Sequence, residues 1–129
     1  MNILITGGND GGLDDQTWIW NNSSGSWTQV SSPSAPSARE NMSMNIINDD
    51  YVMLFGGNDG TRQNDTWLFD ISARNWTEIF PTTSPGARFS HFAANYLTRD
   101  LLMFGGTDGS NLGDTWIFSL FAGPSDIRF

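Results

Sequence analysis

The side chains best equipped for chemistry in this chain are few, and their spacing is unusual. There is one histidine, His91, no cysteine, and only two tyrosines, Tyr51 and Tyr96. A lone histidine can act as a general base or as one metal ligand, but zinc and copper sites draw on several His and Cys side chains. Serines, threonines and asparagines are plentiful, yet they fall at turns with no base paired to them. No cofactor or metal is expected, and the positive case for catalysis is weak. Arg39 and Arg88 stand 49 residues apart, and Asp10, Asp59 and Asp108 repeat the same interval. The arginines have two readings: bidentate capture of a carboxylate or phosphate group, or structural pairing with an aspartate such as Asp65 or Asp114. The aspartates follow Asn9, Asn58 and Thr107. They are either an acidic crown for a basic peptide, a sugar or a hard cation, or simple Asp-Gly turns held by local hydrogen bonds. The stretch NDGGLDD at 9–15 has neither the spacing nor the terminal Glu of an EF-hand calcium loop.

The interval of 49 runs through the whole sequence. Gly7, Gly56 and Gly105 keep it, as do Trp18, Trp67 and Trp116, then Trp27 and Trp76, and Pro36 and Pro85. Constant spacing with divergent filler marks one supersecondary unit, repeated. Each unit divides into four short strand signals bounded by turn residues. In the central copy they lie near Arg39–Ile47, Tyr51–Phe55, Asp65–Asp70 and Asn75–Phe80. YVMLF (51–55) and LLMF (101–104) are continuous apolar runs, which require cover on both faces. No window holds a helical period. Four strands per unit, buried on both faces and repeated radially, describe blades of a β-propeller. Ten strand signals amount to two and a half blades: residues 1–30 supply strands two to four of a first blade, 31–80 a second, and 81–129 a third without a convincing outer strand.

An apolar run ending in Gly-Gly, a polar loop, an Asp-Thr-Trp strand, then NWTEI, PGAR and His91 together resemble the kelch motif across essentially the whole chain. The resemblance implies an all-β, partial kelch-type β-propeller of four-stranded antiparallel blades with essentially no helix. It assigns Gly7-Gly8, Gly56-Gly57 and Gly105-Gly106 to the diglycine, Trp27 and Trp76 to the outer-strand aromatic, and Arg39 and Arg88 to the basic residue opening the innermost strand. Met42 stands where His91 has its counterpart, and Ser125 where a tryptophan is expected. The glycines are expected to make room for a neighbouring blade's aromatic.

In such blades the second-to-third and fourth-to-first loops share one rim. That rim would carry Asn9, Asp10, Asn58, Asp59, Arg62 and Asp108, with Arg39, Arg88 and His91 near the channel mouth. Binding concentrates on variable loops over a rigid scaffold, and the kelch resemblance points to the same rim. The expected function is protein–protein binding or assembly without a chemical step. The alternatives are a piece of a carbohydrate-active or galactose-oxidase-like propeller enzyme, whose several His, Tyr and Cys residues this chain cannot supply alone, and an extracellular structural glycoprotein.

A formal charge of −8 repels phosphate backbones and argues against nucleic acid. No apolar run approaches the roughly 18–20 residues of a membrane helix, and the start has no signal-peptide pattern. Sequons at Asn21, Asn22, Asn41, Asn64 and Asn75 lean slightly towards a secretory route. Two and a half blades leave apolar faces open at both ends, and such faces mark interaction sites. The expected partners are a protein or further propeller blades, from the same chain or from other copies.

Overall fold

The computed structural model describes residues 2–121 and 127–129, and among them there is no helix. The strands are β1 (Asn2–Thr6), β2 (Thr17–Asn21), β3 (Ser26–Gln29), β4 (Ser43–Ile47), β5 (Tyr51–Phe55), β6 (Thr66–Asp70), β7 (Asn75–Ile79), β8 (Phe92–Leu97), β9 (Asp100–Phe104), β10 (Thr115–Leu120) and β11 (Ile127–Arg128). They form three antiparallel meanders: β1-β2-β3, β4-β5-β6-β7 and β8-β9-β10-β11.

The sheets stack face to face, and the alternation of each strand decides which neighbour a side chain meets. From the second sheet, Val52, Leu54, Trp67, Phe69 and Trp76 pack against Leu4 and Ile19 of the first. The other face of the second sheet turns Met53, Phe55 and Leu68 against Leu101, Met103, Phe118 and Leu120 of the third. A sheet with a neighbour on each side needs apolar residues at every position, which is why YVMLF is unbroken.

The glycines hold the sheets together at one edge, but through backbone. A Cβ on Gly56 would lie 2.6 Å from the Arg88 carbonyl oxygen, and one on Gly57 would lie 2.9 Å from that of Glu40. The Gly57 N–H donates to Arg88 O at 2.9 Å, as Gly8 N–H does to Arg39 O at 2.8 Å. At Gly56 the closest approach is thus made by the next sheet's main chain with the His91 ring beside it, 3.3 Å from that Cβ, and at Gly57 by the segment leading into β4 of its own sheet. Both glycines also have positive φ, 64° and 99°, which side-chain-bearing residues adopt at a cost.

The innermost strands start later than expected. Arg39 lies outside β4, Glu40 makes a single bridge to Asn58, and Asn41 turns left-handed at φ 57° before β4 begins at Ser43. Ser90, the equivalent residue one repeat later, has φ 54°. Its N–H donates to Asn41 O at 2.9 Å, so the kink is shared between neighbours.

The third sheet closes with a fourth strand, giving eleven strands where the sequence signals ten. Ser119 pairs with Arg128 and Leu120 with Ile127, whereas the equivalent Asp70 pairs with Asn75. The last hairpin is therefore four residues longer, and the register of 49 shifts there. Continuing that pairing sets Phe129 opposite Phe118, as Trp76 stands opposite Phe69. The rings agree: Phe118–Phe129 centroids are 5.2 Å apart and Phe69–Trp76 centroids 5.1 Å. Phe129 takes the tryptophan's place, while Ser125 lies outside the described residues.

Candidate functional site: the loop-rich edge

Three loops of one design line the edge at the diglycines. Each is closed by a bridge: Asn9 with Leu13, Asn58 with Arg62, and Thr107 with Asn111. In each, the first side chain accepts from the backbone N–H two residues on: Gly11 N to Asn9 Oδ1 at 3.0 Å, Gly60 N to Asn58 Oδ1 at 3.2 Å, and Gly109 N to Thr107 Oγ1 at 3.0 Å. These are the side-chain-capped turns that Asn and Thr favour.

The aspartates that follow divide into two kinds. Asp10 and Asp108 are exposed, and Asp108 Oδ1 accepts from Ser110 N at 3.0 Å. Asp59 is half-buried and fully engaged: its Oδ1 accepts from Gln63 Nε2 at 2.8 Å and Thr61 Oγ1 at 2.9 Å, and its Oδ2 from Ser37 Oγ at 2.7 Å. Burial pushes its pKa up, but the hydrogen bonds from Ser37, Gln63 and Thr61 outweigh that and hold the carboxyl well below the usual range. Asp59 is thereby a structural tie between its loop and the Ser37 segment.

Arg39 and Arg88 are each 2% exposed. Arg39 forks onto Asp65 at 2.5 and 2.7 Å and also donates to Gly56 O at 3.0 Å. Arg88 repeats this with Asp114 at 2.7 and 2.7 Å and with Gly105 O at 3.0 Å. Each carboxylate also receives an indole N–H, from Trp67 at 2.7 Å and Trp116 at 2.6 Å. The Arg88 fork, with Trp116 next, holds Asp114 well below the usual carboxylate range. Both guanidinium groups are therefore spent on the fold, each tying the segment before its sheet's first strand to the diglycine and to the aspartate that precedes the third strand.

His91 is buried, and its Nε2 lies 2.7 Å from Ser43 Oγ in the adjoining sheet. Its Nδ1 is buried with no hydrogen-bond partner among the described residues. Burial first, and the Arg88 charge second, lower its pKa to about 4. The ring is neutral at pH 7 and packs edge-on to Phe55, with centroids 5.6 Å apart.

What the rim leaves open is a cleft of about 400 Å³ between the second and third sheets, lined by Asn58, Gly60, Thr61, Arg62, Phe89 and Gly109. Exposed Arg62 reaches across it: a Cβ on Gly109 would lie 2.6 Å from Arg62 Nη1. Sequence reasoning singles out Asn58 and Arg62 but misses Phe89 and Gly109, which the fold brings from the next repeat. The available signal is that Phe89 replaces the charged Glu40 of the preceding repeat, directly after the paired arginine.

A family model described as "KLHDC2/KLHL20/DRC7 Kelch-repeats domain" matches residues 1–122. The chain belongs to the kelch-repeat family. No individual curated protein matches it. The sheets are blades of a partial kelch propeller, and kelch-repeat domains typically serve as interaction modules rather than catalysts. Among the described residues of this kelch chain, no three His, Cys, Asp or Glu side chains gather as a metal site. No helix there is long and apolar enough to cross a membrane. Of the sequon asparagines, Asn22, Asn41 and Asn64 are exposed, and Asn21 and Asn75 are half-buried.

Proposed function

We propose that this kelch chain binds a protein partner on its loop-rich edge, with no chemical step, and that the Arg62–Phe89 cleft is the anchor point. One observation carries this reading: an exposed guanidinium crosses an open cleft with an aromatic wall, while the other two rim arginines are buried in ion pairs. Arg62 supplies a bidentate donor for a carboxylate on the partner. Phe89 offers apolar area beside it, the pairing that interface hot spots favour. Exposed Asp108, next in sequence to Gly109 of the cleft wall, selects basic residues around that carboxylate.

Selection from a random displayed peptide library tests this directly. Enriched peptides are expected to carry an Asp, Glu or terminal carboxylate, to shift the amide resonances of Asn58–Arg62, Phe89 and Gly109, and to lose at least tenfold affinity for the Arg62→Glu protein. Equal binding to Arg62→Glu, or resonance shifts confined to the opposite edge, would remove the assignment.

A further inference from the structure

The two end sheets each keep one apolar face that nothing in the described chain covers. On the first sheet it carries Ile3, Ile5, Trp18, Trp20 and Trp27, with Trp27 45% exposed and tilted against Trp20 at 5.5 Å. On the third sheet it carries Leu102, Phe104 and Ile117, the last two 49% and 45% exposed. These faces are two halves of one interface. Ile3, Ile5, Trp18, Trp20 and Trp27 are one repeat before Val52, Leu54, Trp67, Phe69 and Trp76, which pack against the first sheet. Leu102, Phe104 and Ile117 are one repeat after Met53, Phe55 and Leu68, which pack against the third.

The polar complement is present as well. Inside the chain, the buried Trp76 Nε1–H donates to Thr17 Oγ1 of the preceding sheet at 2.9 Å. The equivalent donor at the free first face is the Trp27 indole. The equivalent acceptor at the free third face is the exposed Thr115 hydroxyl. Neither has a hydrogen-bond partner among the described residues.

We infer that the chain pairs with a second copy of itself, head to tail, the first sheet of each copy seated on the third sheet of the other, with Trp27 Nε1–H donating to Thr115 Oγ1. A contact between two different faces closes into a ring only when the rotation per copy permits. Two copies set six sheets around one axis, within the roughly 4–8 blades at which such rings close, whereas three copies would set nine. Among the described residues the first sheet consists of β1, β2 and β3, so these strands carry its side of the contact. This proposal stands apart from the rim reading, since it uses the flat faces and not the loops.

Sedimentation velocity on the full chain at micromolar concentration tests it. The expected species has twice the 14.3 kDa chain mass. Ile5→Glu and Phe104→Glu, each on an exposed face, should each give a folded monomer by circular dichroism. Mixing the two should restore a dimer through the one junction that both mutations spare. Trp27→Phe and Thr115→Val should each weaken dimerisation about tenfold to hundredfold, because each removes the hydrogen bond at both junctions, and the double variant no further. A monomeric wild type, an open-ended polymer series, a Phe104→Glu dimer as tight as wild type, or no heterodimer on mixing would each overturn the proposal.

Discussion

The junction between the first and second sheets and the junction between the second and third are built from the same repeat, yet each fails where the other succeeds. At the first, Trp76 fills the outer space and its indole finds Thr17. At the second, Phe129 fills the same space without an N–H, and Thr66, equivalent to Thr17, is left with a buried hydroxyl that has no partner among the described residues. At the inner end the advantage reverses. Tyr51 packs into the second junction, whereas Asn2, one repeat earlier, lines an apolar cavity of about 430 Å³ at the first. Under the diglycine the first junction has Met42 and the second His91. On the rim, Asn9 Nδ2 donates to Glu40 Oε2 at 3.3 Å, but Phe89 in Glu40's place opens the cleft that Arg62 spans. A repeat preserves the backbone contacts that every junction needs and lets single side chains drift, so junctions of one design come to differ in packing, in buried titratable groups and in the shape of the rim.

The largest test of this contrast lies in the ion pairs. Asp65 is 17% exposed and Asp114 42%. Asp65→Ala strands a buried guanidinium and is expected to cost about 3–5 kcal/mol, read as a loss of denaturant midpoint. Asp114→Ala also strands a buried guanidinium but should cost less, because the more exposed Asp114 position lets water take the carboxylate's place. Equal losses would show that exposure does not set the difference.

A second test separates the junctions by pH. Folding lowers the His91 pKa from 6.5 to about 4, so between those values the unfolded chain binds the extra proton. The stability tied to a neutral His91 is complete above about pH 6.5 and is lost as pH falls towards about 4. His91→Met copies the first junction's Met42 and should flatten that part of the stability profile, leaving the carboxylate-driven loss at lower pH. An unchanged difference between pH 7 and pH 4.5 would refute the assignment.

The smallest effects come from exchanging the outer aromatics. Trp76→Phe should destabilise by about 1–2 kcal/mol, through the lost hydrogen bond and lost ring volume. Phe129→Trp should stabilise by about 1 kcal/mol by giving Thr66 a donor. Thermal unfolding of the pair reads both signs, and a Phe129→Trp protein that melts lower would mean the second junction has no room for an indole.

Strand after strand was legible because burial on both faces leaves a compositional trace: Tyr51–Phe55 reads as a strand in the sequence and is one in the structure. The late start of β4 was hidden, since a left-handed Asn41 or Ser90 carries no glycine to announce it. A fixed register of 49 expects a tryptophan at 125, and the structure puts Phe129 in its place, because a hairpin can lengthen without disturbing the strands it joins. At the rim the single residues Asn58 and Arg62 were visible. Their cleft was not, because Phe89 and Gly109 come from a different repeat.

The sequence alone determined the repeating unit, its four-strand design and the positions of its glycines, arginines and tryptophans. Local chain chemistry and a constant spacing are enough to write those down. Only the tertiary structure decided that Arg39 and Arg88 are locked in ion pairs, that His91 is buried and neutral, that Arg62 remains open, and which sheet faces stay uncovered. Those outcomes depend on which repeat stands beside which, and neighbours in space are set by packing between sheets.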